Sequence, residues 1–559
     1  MRKILSLLTI ALLFASCGSK NQESNYVPKD AIGVMYVNLK SLSEKSNGLD
    51  FKDLNINDII EDKAPKELKD FMNEFMTSEN INKTFRKEFL IGYGSLKRMS
   101  GVGGLILPIK DAASFEAFIK PMLDEIPRLE KETNVGKGDA FTVYANREIA
   151  IGWNNTTALL IGASNYAAAE LKDLTTLEKS ENINATDYYS SFFDSSKDIG
   201  VHITTTPLGD MLDGLMSAFS GSSVDLENNT MSYYGNFEDD HIHTNSKLKL
   251  NKDILSLVGY DKWMSTSYEK SLLKVLPNNP ELFTKLSVDL NAFQKHFYSL
   301  QDNKVLPIAI REEMKNSLKK SDREFEKETG LSTTEFTDIF DGSVMFAMTE
   351  GTTVKDTVRN PMSRLFEESE EQIDNYKIVE TKKPYMYGAI AIKDKAKFNV
   401  FLNKIKAQEG DLKELDKDYY SIDDEAFMII TDQLIFITND VSQANQVKNN
   451  GQLTDNLSDF KHKDKLSHSF YLYTNGNLSE FTNSFNTLYS PYRYSRYNTN
   501  NDDEFTKRSN DIYQKYFDEN HYYIDADGSE SFTNTKGDKN SLIQSIKFAD
   551  EMSKVAAEQ

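Results

Sequence analysis

Leu107-Pro-Ile-Lys-Asp-Ala-Ala-Ser-Phe-Glu-Ala-Phe118 returns 283 residues later as Ile390-Ala-Ile-Lys-Asp-Lys-Ala-Lys-Phe-Asn-Val-Phe401. Each copy runs from a short apolar stretch into an aspartate, Asp111 or Asp394, placed to cap a helix. Phe115, Phe118, Ile119 and Met122 then fall at i, i+3, i+4 and i+7, and Phe398, Phe401, Leu402 and Ile405 repeat that stripe. The spacing predicts a strand, a cap and an amphipathic helix in each copy. Pro121 is expected to bend or shorten the first helix.

The landmarks on either side recur in the same order. Upstream, the strand-to-helix passage Val37-Asn38-Leu39 matches Val288-Asp289-Leu290 at an offset of 251. Downstream, Ile149–Trp153 and Ala158–Ile161 flank Asn154-Asn-Thr-Thr157, while Phe427–Ile430 and Leu434–Ile437 flank Thr431-Asp-Gln433. Both patterns predict a hairpin. Ile199–Ile203 parallels Ser469–Tyr473 at an offset of 270. Tyr233-Tyr234 and Thr244-Asn245 match Tyr522-Tyr523 and Thr533-Asn534 at 289. The predicted fold class is therefore α+β: two tandem duplicated modules, 27–275 and 276–559, each a mainly antiparallel sheet with helices packed on one face. The changes in offset place loop insertions at 352–383 and 489–504, both in the second module.

The N-terminus supplies an address. Arg2 and Lys3 precede an apolar run from Ile4 to Phe14, and Ala15-Ser16 lead into Cys17, the one cysteine of 559 residues. A mostly apolar run of eleven residues is too short to span a bilayer and suits a signal-peptide core. The expectation is that residues 1–16 are removed, Cys17 is lipidated, and residues 17–26 form a tether to an envelope membrane, the outer membrane. The mature chain then has no free thiol, hence no disulfide and no cysteine nucleophile.

The lipoprotein start, Val27-Pro-Lys-Asp-Ala31, Val37-Asn-Leu-Lys-Ser-Leu42 and the twin Ile-Lys-Asp…Phe…Phe units resemble an uncharacterised lipoprotein family of Gram-negative envelopes, domain of unknown function 4836. The resemblance implies an envelope lipoprotein and assigns no catalytic residue.

Composition excludes some partners. A net charge of −21, from 65 basic and 86 acidic residues, opposes broad binding to nucleic acid. About 540 mature residues exceed what one core holds. His-Glu-x-x-His, Gly-x-Ser-x-Gly and Walker loops are absent. Gly92-Tyr-Gly94…Gly101-Val-Gly-Gly104 leads into a strand and not into a helix N-terminus, so it suits a hairpin and not a phosphate loop. His241-Ile-His243 puts two imidazoles on one strand face, but the matched positions hold Glu530 and Phe532, which favours a solvated edge. No metal site and no cofactor are expected.

The predicted role is a non-enzymatic binding or scaffold lipoprotein, anchored to the membrane by its lipid, with a protein or glycan partner. The alternative is an envelope or polysaccharide hydrolase using an unlocated carboxylate pair. Tyr492, Arg493, Tyr494, Arg496 and Tyr497 interleave aromatic and cationic groups in a loop and are the candidate partner-binding residues.

Overall fold

A computed structural model describes residues 22–47, 49, 54, 78–97, 100–136, 140–187, 192–194, 196–209, 224–359, 376–408, 412–422, 425–476 and 500–558. The fold is α+β, built on antiparallel sheet. The chain divides into two compact units, Met1–Ile254 with Gly537–Gln559, and Leu255–Lys536.

The first unit contains β1 (Gly33–Asn38), β2 (Phe89–Lys97), β3 (Ser100–Pro108), β4 (Glu130–Val135) and β5 (Phe141–Ala145). It continues with β6 (Ile149–Trp153), β7 (Thr157–Ala163), β8 (Ile199–Thr204), β9 (Thr230–Phe237) and β10 (His241–Lys249). Every pairing is antiparallel, in the order β10-β9-β8-β1-β2-β3-β7-β6-β5-β4. Its main helices are α1 (Leu39–Lys45), α2 (Ala112–Asp124) and α3 (Ala167–Thr175).

The second unit contains β11 (Leu282–Ser287), β12 (Phe340–Arg359), β13 (Tyr376–Ile392), β14 (Leu412–Asp416) and β15 (Tyr419–Ile422). After these come β16 (Ala426–Ile430), β17 (Leu434–Thr438), β18 (Phe470–Thr474), β19 (Phe517–Asp525) and β20 (Gly528–Thr535). The order β20-β19-β18-β11-β12-β13-β17-β16-β15-β14 repeats that of the first unit strand for strand. Its corresponding helices are α4 (Leu290–Ser299), α5 (Lys395–Gln408) and α6 (Val441–Asn450).

The caps sit where the sequence put them. Asn38 accepts from Ser41 N–H at 3.2 Å and Asp289 from Ala292 N–H at 2.8 Å. Asp111 accepts from Ser114 N–H at 2.8 Å and Asp394 from Lys397 N–H at 3.0 Å. α2 buries Phe115, Phe118, Ile119 and Leu123 and continues through Pro121 to Asp124. In α5, Phe398 and Leu402 are buried and Phe401 is half-buried.

Helices cover both faces of each sheet, where the sequence predicted one. Along β7, Leu159 and Ile161 join the core that α3 completes with Leu171 and Leu174. Ala158 and Leu160, pointing the other way, join the core that α2 completes with Phe115 and Phe118. The second unit repeats this: α6 packs Ala444 and Val447 on one face, and α5 packs Phe398 and Leu402 on the other. Strands such as Ile149–Trp153 are apolar at successive positions because both sides are covered.

Two boundaries differ from the sequence reading. Leu272, Leu273, Val275 and Leu276 pack with Phe283 and Tyr471, so the stretch before residue 276 belongs to the second core. The C-terminal helix Ser541–Ala557 belongs to the first unit: Ser541 N–H donates to Glu238 O at 2.9 Å, and Asn540 Nδ2 to Phe237 O at 3.2 Å. In the expected insertion 352–383, Thr352 pairs with Lys383 and Arg359 with Tyr376, so its outer parts are strand and not loop.

Candidate functional site: a glycine-floored trough

Register across the first unit brings four glycines into one row. Ile149, Gly162, Gly103, Gly94, Gly33, Ile203, Met231 and Leu248 stand side by side from β6 to β10. The adjacent row on the same face is Ile151, Leu160, Leu105, Gly92, Met35, Val201 and Tyr233. A Cβ built on Gly94, Gly101 or Gly162 meets nothing within 4 Å. On Gly33 or Gly103 it meets only a backbone oxygen, at 4.0 or 3.9 Å. The floor is therefore bare backbone.

Apolar walls surround it. α2 covers the end of this face nearest Leu107 and Trp153, and beyond it a trough of about 930 Å³ opens over the glycines. Met35, Leu105, Ile149, Val201 and Ile203 line the trough, and Met35 and Ile203 remain 39% and 47% exposed. Among the described residues, Glu148 and Ser164 bring polar side chains to the lining, both exposed at the rim. Each floor strand is paired on both sides, so its amides and carbonyls are spent in the ladder.

Two other glycines have a different cause. A Cβ on Gly104 would lie 2.1 Å from the Tyr93 ring, and one on Gly200 2.2 Å from the Tyr36 ring. These positions on the opposite face make room for buried aromatics. The Gly92–Gly104 stretch is indeed a hairpin, β2–β3. Of its glycines, Gly104 lies under a ring, Gly92 lies under the Met35 side chain, which a Cβ there would meet at 2.8 Å, and Gly94, Gly101 and Gly103 lie under open space.

Cys17 and the candidate residues Tyr492, Arg493, Tyr494, Arg496 and Tyr497 lie outside the described residues. His241 and His243 sit on β10 with ring centroids 6.4 Å apart, and His241 Nδ1 lies 2.6 Å from Asp240 Oδ1. Among the described residues they join no group of three metal donors. Sequence reasoning missed the trough because its row runs across strands. Four glycines at 33, 94, 103 and 162 become neighbours only once the register is known.

No family model and no curated protein matches the chain. Among solved structures, crystal form III of TP0453 is similar at 14% identity, covering 43% of this chain and 87% of that one, with a TM-score of 0.23. Crystal form IV of TP0453 is similar at 12% identity over 42% of this chain and 83% of that one, again at 0.23.

Proposed function

We propose that this chain is an envelope lipoprotein, anchored through Cys17, that holds the acyl chain of a lipid in the trough of its first unit without catalysing a reaction on it. The observation that carries the reading is the row Gly33-Gly94-Gly103-Gly162, with open space above it. A strand interior pays about 0.5–1 kcal/mol for glycine in place of alanine. Four in one row, none required by a neighbouring side chain, point to an occupant that needs the space.

The chemistry of the lining selects the occupant. A peptide laid in the trough would find no free backbone partner, and each amide left unpaired costs about 1–3 kcal/mol. A sugar would face the same deficit. A hydrocarbon chain forfeits no hydrogen bond there and gains about 0.8 kcal/mol for each buried methylene. A volume of about 930 Å³ lies within the range of small-molecule sites. The lipoprotein start and the resemblance to an envelope family support the setting, since acyl chains are the material of that membrane.

The test uses the mature chain and a fluorescent long-chain fatty acid. Wild type is expected to bind it and release it to unlabelled fatty acid. Gly94→Leu with Gly162→Leu is expected to abolish uptake while far-UV circular dichroism and melting temperature hold, because both side chains grow into empty space. Undiminished uptake by that variant would sink the trough. Cys17→Ser separates the anchor from the site: it should leave the membrane fraction yet still bind the fatty acid. Sedimentation of Cys17→Ser with salt-washed membranes would end the lipoprotein assignment.

A further inference from the structure

The second unit brings two of its imidazoles, His462 and His521, to one place. Glu519 and His521 are two residues apart on β19 and so share a face. His462, from the turn preceding the 3-10 segment Lys463–Ser467, reaches the same point. His462 Nε2 lies 3.1 Å from Glu519 Oε2, His521 Nε2 lies 3.9 Å from that same oxygen, and all three donor atoms fall within 4.8 Å of one another. Two donors bound to zinc at about 2.0–2.1 Å in tetrahedral geometry stand about 3.3 Å apart. The two distances from Glu519 Oε2 bracket that value.

We propose that His462, Glu519 and His521 bind a divalent transition-metal ion of the zinc class. Two imidazoles and one carboxylate are a borderline donor set suited to zinc, and three protein ligands leave a fourth position for water. The surrounding groups orient the ligands. Tyr471 OH lies 2.8 Å from His521 Nδ1, the nitrogen turned away from the cluster, and both groups are buried. With Nδ1 protonated and donating to that phenol oxygen, Nε2 presents its lone pair to the ion. Tyr473 OH donates to Glu519 Oε1 at 3.1 Å, leaving Oε2 for the metal. His521 is 6% exposed, whereas His462 and Glu519 reach the surface and give an ion a way in.

One group opposes binding: the Lys461 ammonium pairs with Glu519 Oε1. It contacts the oxygen away from the histidines, so it weakens the site without occupying it.

The experiment titrates chelator-stripped protein with Zn²⁺ against a chromophoric chelator, and with Co²⁺ by visible absorption. One equivalent is expected, with cobalt bands of low coordination number. Glu519→Gln and His462→Ala should each lower affinity by more than 100-fold. His462→Ala truncates a side chain that is 22% exposed, and its metal-free melting temperature checks that the variant folds. Tyr471→Phe, which touches no metal, should cost about 10–100-fold, and Lys461→Ala should tighten binding. Absence of stoichiometric binding, or binding unchanged in His462→Ala, overturns the proposal. So does loss of the site in His243→Ala but not in His462→Ala.

Discussion

The two units use one strand order for two different surfaces. The turn Asn154–Thr157, closed by Asn154 N–H to Thr157 O at 3.0 Å, corresponds to Thr431–Leu434, closed at 2.9 Å. Following register outward from that turn, Leu160 matches Ile437, and the row ends with Tyr233 matching Tyr522. The glycine row then falls against Leu282, Met348 and Met386, with Asn439 just past β17, accepting from Met386 N–H at 2.8 Å. Met348 is fully buried. Where the first unit leaves backbone bare, the second fills the space with side chains.

The opposite face shows what a sheet does when it must stay packed. Tyr93 faces Gly104 in the first unit, and at the same place Ala347 faces Tyr387 in the second. Tyr36 faces Gly200, and Lys285 faces Tyr471. The aromatic has crossed to the partner strand each time, leaving the small Ala347 beside Tyr387 but a buried lysine beside Tyr471. Its acceptor has kept pace: Tyr93 OH lies 3.4 Å from Glu170, and Tyr387 OH 3.0 Å from Asp440. Close packing enforces such exchanges. The trough floor carries no exchange of this kind, which sets its glycines apart from the structural ones. The shared order and these reciprocal pairs support the reading of the units as duplicates.

The largest predicted effect tests the helices that both units share. Phe115 is enclosed by Phe118 and by Trp153, whose ring centroid lies 5.5 Å away, and Phe398 packs on Phe340 at 6.4 Å. Phe115→Ala and Phe398→Ala should each cost about 3–5 kcal/mol in denaturant unfolding. The larger loss is expected at Phe115, which is 0% exposed against 4%. A cost below about 1 kcal/mol at either site would show that its helix is not a core element.

Next comes the exchanged pair Lys285/Tyr471. Burial pushes the Lys285 ammonium down to about 8 from 10.5, against a partial pull from Asp525. Its Nζ donates to His468 O and lies 5.2 Å over the Tyr268 ring. Below pH 8 the lysine is charged in both folded and unfolded states, and its burial cost is fully present. Between pH 8 and 10.5 the folded chain releases the proton first, so stability rises with pH, by about 3 kcal/mol across the window. Lys285→Met should remove that rise, measured as the difference between the two unfolding curves. A difference that stays flat from pH 7 to 10.5 would show that the ammonium is not desolvated.

Much of this architecture was legible in the sequence because caps, turns and helix stripes are local. Asp111, Asp394, Asn154 and Thr431 do at short range what their residue types suggest. Long-range register was not legible. The offset of 270 matches Gly200 to Phe470, whereas its equivalent by sheet register is Tyr471, and a one-residue slip exchanges the faces. Thr244-Asn245 and Thr533-Asn534 are likewise out of step. Tyr233 pairs with Ser246 and Tyr522 with Ser531, because the second hairpin turns at Asp525–Gly528 with two fewer residues on each arm. The donor cluster was hidden for the same reason, as His462 and Glu519 meet only through the sheet. The recognition residues proposed from sequence, Tyr492 to Tyr497, are untouched by these comparisons.

The smallest effect gives the sharpest division between the two kinds of glycine. Gly104→Ala and Gly200→Ala drive a methyl into the Tyr93 and Tyr36 rings and should destabilise the first unit by about 1–3 kcal/mol. Gly94→Ala and Gly162→Ala add the same methyl over open space, at backbone angles open to any residue. Removing backbone freedom from the unfolded chain should then raise stability by about 0.5–1 kcal/mol at each position. The measurement is chemical denaturation of all four single variants under one set of conditions. Opposite signs for the two pairs would mean that the floor glycines are held at a cost to folding, the signature of a surface kept for binding. Equal losses in all four would mean that the floor is already filled in solution, and the distinction between the two units' faces would collapse.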